Sequence, residues 1–267
     1  MQIYDTHVHT TFSSDGISDL EAYALSAGKG IVNGIGFAEH VDFLPECGSY
    51  GFMEPAVYIK AVEEYRNKGY EFFAGAEIDY ARQVEPEILQ NLKKYNYAFT
   101  ICSVHLVDHI TVSNKVSMPA IRDRQLLRKL ILGYYQEMES CLKVPEFDVI
   151  GHIGVYMRYL GRDFHENVGL INEINEIENE IALLCAKSGK IVEVNTSGLY
   201  SPLSATVPGT NFLKAYYRCG GRNVSVGSDA HCAEHVARGF ETAFEMLRQL
   251  GFKYILLPWD REKPLML

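Results

Sequence analysis

The sequence predicts an α/β fold: a seven-stranded (β/α)7 barrel, similar to a TIM barrel. Seven short apolar runs alternate with seven longer amphipathic ones. The short runs have the length and the β-branched and aromatic content of buried parallel strands. Six of the nine histidines lie at or just beyond the end of such a run. Because a barrel of this kind gathers the carboxyl ends of its strands on one face, both observations favour a closed or nearly closed barrel.

The predicted elements follow one another without a linker-like or low-complexity stretch, so we expect a single domain over residues 1–267. The strands are predicted at 2–4, 31–38, 71–78, 97–104, 147–150, 190–194 and 223–226. The helices are predicted at 18–29, 55–68, 85–95, 121–142, 168–187, 209–218 and 233–250. Several of these helices are followed by glycine, as helix C-termini often are.

An open, doubly wound sheet is the alternative architecture. That fold would be expected to carry a glycine-rich phosphate-binding loop after its first strand. No such loop is present, and His7 and His9 stand in its place. The barrel is therefore the preferred interpretation.

Composition and charge limit the function classes. The chain has 267 residues, 47% of them hydrophobic and 22% charged, with a formal net charge of -9. An acidic chain favours neither nucleic acid nor an anionic membrane surface as a partner. Six scattered cysteines without a Cys-x-x-Cys pair argue against a zinc ribbon and against a disulfide framework. With no signal peptide and no apolar run of roughly 18 residues, we expect a soluble cytoplasmic protein.

The first strand ends in His7-Val8-His9. Residues i and i+2 of a strand point to the same side, so these two imidazoles can face one point. Imidazole is a common ligand of transition metals. A histidine pair on a solvated strand edge is the alternative for these two residues taken alone.

Other strand ends carry the same kind of side chain. The further candidates are Glu39, His40, Glu77, His105, His152, Glu193, Asn195, Asp229 and His231. Such residues have structural alternatives: Glu39 as a solvated residue, Asp229 as a helix N-cap, and His152 as a satisfied core histidine. Asp5, near the end of the first strand, has the alternative of a structural hydrogen-bond acceptor. Taken together, buried imidazoles and carboxylates in one cavity need partners or a cation. Nitrogen and oxygen ligands without thiolates suit Zn, Mn or Fe, and their number favours a cluster of two or three ions.

These residues form a pattern that resembles the PHP (polymerase and histidinol phosphatase) family, and within it the stand-alone histidinol-phosphatase branch. The matching segments are 5–10 with 14–16, 37–40, 75–77, 103–105, 150–152, 193–198 and 227–231. The resemblance implies a distorted seven-stranded barrel that holds three divalent metal ions. It also implies Zn, Mn or Fe as their identity.

The resemblance also implies the ligand of each ion. His7, His9, Glu77 and Asp229 are expected at the first metal. Glu77 is expected to bridge to the second metal, which His105 and His152 complete. Asp15, His40 and His231 are expected at the third.

The expected activity is hydrolysis of a small-molecule phosphate monoester, with L-histidinol phosphate, from histidine biosynthesis, as the leading substrate. Two metals can clamp the attacking and leaving oxygens, and a metal-bound hydroxide is the expected nucleophile. Glu77, Asp229 and His231 are the expected catalytic residues. Another phosphate ester (a sugar phosphate, a nucleotide or a phosphodiester) or a non-catalytic metal-binding barrel remains the alternative.

The residues expected to contact the substrate match the histidinol-phosphatase branch less closely than the metal ligands do. Gly154 stands where the branch usually has Asp, and Tyr200 where it usually has Arg. Arg158 is the best remaining phosphate contact and Arg162 the second choice, because a guanidinium pairs bidentately with phosphate. Asn195 is the third predicted substrate-binding residue. A solvated loop position is the alternative for both arginines, and a homo-oligomer is left open.

Overall fold

The barrel is formed by seven parallel strands in a computed structural model that describes residues 2–161 and 163–267, with the backbone alone at 165 and 167. Along the sheet these strands are β1 (Tyr4–Val8), β2 (Gly34–Val41), β3 (Glu71–Asp79), β4 (Thr100–Ser103), β7 (Val149–Ile150), β8 (Ile191–Asn195) and β9 (Val224–Gly227). Two antiparallel hairpins are added, β5 (Leu106–Val107) with β6 (Ile110–Thr111) and β10 (Tyr254–Leu257) with β11 (Asp260–Met266). The predicted seven-stranded fold is confirmed.

The first and last barrel strands meet and nearly close the sheet. Val8 forms a parallel bridge with Ala230, just beyond β9. The His9 amide donates to the Ala230 carbonyl, and the Asp229 amide donates to the His7 carbonyl, each at 2.8 Å. The closing seam therefore runs through residues predicted to bind metal.

Helices cover the outside of the barrel. They are α1 (Leu20–Gly28), α2 (Pro55–Asn67), α3 (Glu85–Lys94), α4 (Ser117–Ala120), α5 (Arg124–Leu142), α6 (Phe164–Asn167), α7 (Ile171–Ser188), α8 (Thr210–Arg218) and α9 (Phe240–Gln249). The helix predicted at 121–142 begins later because Asp123 caps it, accepting from the Gln125 amide at 2.8 Å. Among the described helices, none has both the length and the apolar character needed to cross a membrane.

The helix predicted at 233–250 is interrupted. A short 3-10 turn covers Ala233–His235, and α9 begins only at Phe240. Gly239 between them has φ of 82°, a left-handed conformation that does not continue a right-handed helix. The helix predicted at 233–250 is therefore present as α9, but it begins seven residues later than predicted.

The C-terminal hairpin closes the end of the barrel opposite the carboxyl ends of the strands. Trp259, between β10 and β11, stacks on Phe73 with ring centroids 4.2 Å apart and lies 5.4 Å from Phe99. Leu256 packs in the same cluster. This hairpin, which forms the floor of the barrel, was not predicted from the sequence.

One pair of cysteines departs from the sequence expectation. Cys102 in β4 and Cys141 in α5 form a disulfide, although the scattered cysteines predicted no disulfide framework. Spacing alone does not fix which cysteines meet in the fold.

Candidate metal centre

The carboxyl ends of the strands bring the predicted ligands into one cluster. Glu77 of β3 is at its centre, is 1% exposed, and lies opposite His40 of β2 in the parallel register. Its two carboxylate oxygens lie within 3.5 Å of five imidazoles, at 3.4 Å from His7, 3.5 Å from His9, 3.0 Å from His40, 3.4 Å from His105 and 2.7 Å from His152. A carboxylate in this position can bridge two ions.

The first predicted ligand group is assembled at the seam between β1 and β9. The Nε2 atoms of His7 and His9 are 3.0 Å apart. Asp229 Oδ1 lies 3.9 Å from the first and 3.4 Å from the second. These three side chains form one of the clusters whose donor atoms lie close enough to share an ion. Asp229 itself has φ of 56°, a strained backbone conformation that aims its carboxylate into the site.

The second predicted group lies on the β4–β7 side. His105 Nε2 and His152 Nε2 are 3.2 Å apart, and both face Glu77 Oε1. Ser103 Oγ donates to the same oxygen at 2.6 Å. His40 also belongs here by distance, because His40, Glu77 and His105 form a second cluster of suitable donors.

The third predicted group is the most open. His231 Nε2 lies 3.2 Å from Asp15 Oδ2, and His40 Nε2 lies 3.7 Å from Asp15 Oδ1. Asp15 is 57% exposed, so this group faces the mouth of the barrel. His9, His40 and His231 form a third cluster of donors.

The donor arrangement suits divalent ions. Two histidine nitrogens that bind the same ion in tetrahedral geometry, each at about 2.0 Å from it, lie ~3.3 Å apart. The Nε2 atoms of His7 and His9 are 3.0 Å apart and those of His105 and His152 are 3.2 Å apart, close to this spacing. In His7 the opposite nitrogen is held by Glu193, and in His231 by the Asp229 carbonyl, at 2.6 and 2.9 Å. This leaves Nε2 for the ion, as an outer carboxylate or carbonyl does in metal sites.

The buried charges perturb one another strongly. Burial raises the pKa of Glu77, but the positive charges of His7, His105 and His40 outweigh it and hold that pKa well below its ordinary value. For His9, burial and the neighbouring His40 both lower the pKa well below 6.5. These directions favour the ionised form of Glu77 and the neutral form of His9.

Two buried carboxylates support the cluster from outside and were not assigned this role from the sequence. Glu193 accepts from the His152 amide at 2.7 Å as well as contacting His7. Glu39, for which solvent exposure was an alternative, is fully buried and accepts from Thr10 and Ser13. Asp5 accepts from the amides of Ser228 and Ala237, which agrees with the structural alternative for that residue. Their position at strand ends was the available signal, but burial could not be read from it.

The three predicted substrate residues have different surroundings. Arg158 lines the cavity, and its Nη2 donates to Asp229 Oδ2 at 2.6 Å. Its Nε is buried and has no hydrogen-bond partner among the described residues. Asn195 is fully buried, and its amide contacts Glu193, Asp229 and Ser197, so it meets the cavity through two lining residues, Asp229 and Ser197. Arg162 lies outside the described residues.

The cluster lies at the bottom of a cavity of about 850 Å³ that opens at the mouth of the barrel, the end where the strands have their carboxyl ends. The walls come from the loops after β1 and β2, from the end of β3, from the β5–β6 hairpin, and from the segments around Arg158 and Tyr200. This volume accommodates a small organic phosphate above the ligand cluster.

The chain is similar along most of its length to several known proteins. A probable histidinol-phosphatase of Clostridium acetobutylicum is 26% identical over 255 residues, covering 94% of this chain and 95% of the relative. A probable histidinol-phosphatase of Thermotoga maritima is 25% identical, with 94% of each chain covered. The crystal structure of histidinol phosphate phosphatase from Lactococcus lactis subsp. lactis, in complex with Zn, L-histidinol and phosphate, superimposes with a TM-score of 0.80 at 21% identity over 94% of both chains.

The profile of the PHP domain matches residues 5–197. This region includes β1 to β8 and the predicted ligands from His7 to His152. Because the match covers well over half of the sequence, the chain belongs to the PHP domain family.

Proposed function

We propose that this protein is a metal-dependent phosphomonoesterase that hydrolyses L-histidinol phosphate to L-histidinol and phosphate. The observation that carries the proposal is the convergence of six histidines with Asp15, Glu77 and Asp229 at the bottom of one cavity. The names of the relatives and the ligands of the Lactococcus lactis structure support the choice of substrate.

The proposed centre holds three divalent ions, with Zn, Mn and Fe as the candidates. His7, His9 and Asp229 would hold the first, His105 and His152 the second, and Asp15, His40 and His231 the third, with Glu77 between the first two. When bound, the ions would neutralise the phosphoryl oxygens and lower the pKa of the attacking water.

Arg158 is the proposed phosphate contact of the chain itself. Its contact with Asp229 Oδ2 holds the guanidinium beside the ligand cluster, where Arg158 lines the cavity. A guanidinium offers a planar array of donors that matches phosphate. Arg158 therefore orients the ester and offsets its charge.

Asn195 and Glu193 are the proposed positioning residues. Asn195 Nδ2 lies 3.3 Å from Asp229 Oδ2, and Glu193 Oε1 lies 2.6 Å from His7 Nδ1. Each contact holds the side chain of a proposed metal ligand in its orientation. Asp229 and His231 would complete the catalytic surface together with Glu77, since His231 and Asp229 both line the cavity.

The direct test is release of inorganic phosphate from L-histidinol phosphate by protein reconstituted with Mn or Zn. The monoester p-nitrophenyl phosphate and the diester bis(p-nitrophenyl) phosphate serve as comparison substrates, and protein treated with a chelator is the control. We expect metal-dependent turnover with a strong preference for L-histidinol phosphate. Faster hydrolysis of the diester, or no turnover of either monoester by fully metal-loaded protein, would contradict the proposal.

A further inference from the structure

We propose that a groove on the outer face of the barrel binds a free α-amino acid that has an apolar or aromatic side chain. This α7–α8 groove has a volume of about 610 Å³ and lies between α7, α8 and the C-terminal end of α9. None of its lining residues belongs to the metal centre or to the cavity above it, so the inference goes beyond the proposed function. The lining residues that bear on the ligand are Glu178, Phe212, Lys214, Ala215, Arg218 and Leu250.

Glu178 of α7 supplies an acidic group to the groove. Its side chain is half-buried, and Oε1 accepts a hydrogen bond from the Tyr135 hydroxyl at 2.8 Å. Burial raises the pKa of this carboxyl, and the hydrogen bond from Tyr135 offsets only part of the increase. Across residues 2–161 and 163–267, no Lys or Arg lies within 4.0 Å of the carboxylate. Removing a carboxylate from water without a cation is costly, so an ammonium group is its complementary partner.

Lys214 and Arg218 supply two basic groups from α8. They are four residues apart on the helix, so their side chains project from the same face. Both are exposed and line the groove. In the described part of the chain, neither has a carboxylate within 4.0 Å. Their charges are therefore available to a carboxylate ligand, which the planar guanidinium of Arg218 can bind through two parallel hydrogen bonds.

The rest of the lining suits a small organic zwitterion. Phe212 and Ala215 are 2% and 4% exposed and, with Leu250, give the groove an apolar part. Among the described residues, Glu178 belongs to none of the donor groups that could share a metal ion. A ligand that carries an ammonium group, a carboxylate and an apolar side chain is complementary to all three parts of the groove, and a free amino acid fits its volume.

Hydrogen bonds connect the groove with the segment that carries Arg158. The hydroxyl oxygens of Tyr135 and Tyr156 are 3.2 Å apart, so the residue that donates to Glu178 also contacts the 3-10 turn Val155–Tyr159. Arg158 lies in this turn and lines the cavity above the metal centre. An ammonium bound to Glu178 would compete with Tyr135 for the carboxylate and loosen the turn. Occupancy of the groove should therefore weaken phosphate binding beside Arg158, a consequence that rests on the proposed phosphate contact, whereas the binding site does not.

Isothermal titration calorimetry on the full chain, reconstituted with metal, tests the site with L-leucine and L-phenylalanine. The comparison ligands are the amides of these amino acids, which lack the carboxylate, and 4-methylpentanoate and 3-phenylpropionate, which lack the amine. We expect at least one amino acid to bind roughly ten- to a hundred-fold more tightly than either of its analogues, the worth of a charged hydrogen bond. Binding of neither amino acid, or equal binding of an amino acid and its analogues, would overturn the site.

Substitutions identify which side chain recognises each charge. Glu178→Gln, which retains an acceptor for Tyr135, should remove the preference for the amino acid over the acid without the amine. Lys214→Gln combined with Arg218→Gln should remove the preference over the amide. A variant that weakens all three ligands alike would contradict its proposed contact, and unchanged preferences in both variants, as for binding at the metal ions, would overturn the site. Glu180→Gln, at an exposed position of α7 that does not line the groove, is the matched control and should change neither preference.

Inorganic phosphate is the probe for the coupling to Arg158, because its binding requires no turnover. With L-leucine or L-phenylalanine at saturation, whichever binds, phosphate should bind the metal-loaded protein at least about five-fold more weakly, the low end of coupling between two sites. Tyr135→Phe should still bind the amino acid and should abolish this difference. An unchanged affinity for phosphate in the wild type would overturn the coupling. Absence of turnover of any phosphate ester would contradict the proposed function alone, since none of these measurements depends on turnover.

Discussion

The two ends of the barrel show how one strand serves two purposes. On β3, Glu77 faces five imidazoles at the mouth, whereas Gly75, two residues earlier, faces Phe99 at the floor. A Cβ at Gly75 would lie only 2.4 Å from the Phe99 ring. Every second residue of a strand faces the same side, so Gly75 and Glu77 are consecutive inward-facing residues. The first contacts the apolar cluster at the floor, and the second belongs to the metal-ligand cluster at the mouth.

The floor and the mouth of the barrel are therefore governed by different interactions. At the floor, Trp259, Phe73 and Phe99 exclude water and contribute stability through packed apolar area. At the mouth, six imidazoles and three carboxylates are partly or fully withdrawn from water, which costs free energy that bound metal ions would offset. Substitutions at the two ends should therefore separate stability from metal binding.

The largest effect is expected from Glu77→Gln. Losing the bridging carboxylate should lower kcat/KM by about a thousand-fold, since metal-ion stabilisation of the transition state is worth several kcal/mol. Bound metal, measured by elemental analysis, should fall in parallel. Far-UV circular dichroism should stay that of the wild type, because the floor is untouched. Full activity with full metal content would refute the central role of Glu77.

A smaller loss of metal affinity and activity, also at the mouth of the barrel, is expected from Glu193→Gln. Its contacts with His7 Nδ1 and the His152 amide hold two predicted ligands, and outer partners of this kind are worth roughly 10- to 100-fold in metal affinity or activity. Metal titration should show weaker binding, with activity recovered at high metal concentration. A merely structural role would instead lower the unfolding midpoint of the metal-free protein and leave its metal affinity unchanged.

The smallest effect is expected from Gly75→Ala, which should lower stability and leave metal binding unchanged. The new methyl group would overlap the Phe99 ring, which is held by its neighbours, and overpacking of this kind costs about 1–3 kcal/mol. Urea unfolding should show the loss, and Phe99→Leu in the same chain should recover part of it. Below the unfolding transition, metal content should match wild type. A loss of metal without a loss of stability would remove the distinction between the two ends.

The sequence was sufficient for the architecture and for the candidate ligands because both depend on local patterns. Apolar runs marked the strands, and the position of His40, Glu77 or His105 at the end of a run marked the face on which it would lie. Convergence then followed from the parallel barrel, in which all carboxyl ends share one side.

The parts that could not be predicted depend on contacts between distant segments. The β10–β11 hairpin has no chemical motif, and Trp259 acquires its role only by meeting Phe73 and Phe99. The supporting roles of Glu39 and Glu193 follow from their burial, which residue type does not specify. The break before α9 lies at Gly239, and an isolated glycine in a helical pattern does not by itself end a helix.

The seam between β1 and β9 has a consequence for how the protein folds. His7 and Asp229 are separated by more than two hundred residues in sequence yet bind the same ion in the proposed centre. Contacts of such long range form late and make folding slow, because the entropy of a long loop must be lost first. No fragment that lacks either strand contains this ligand group, so uptake of the ion would report completion of the barrel, and the bound ion would stabilise the closed chain by mass action.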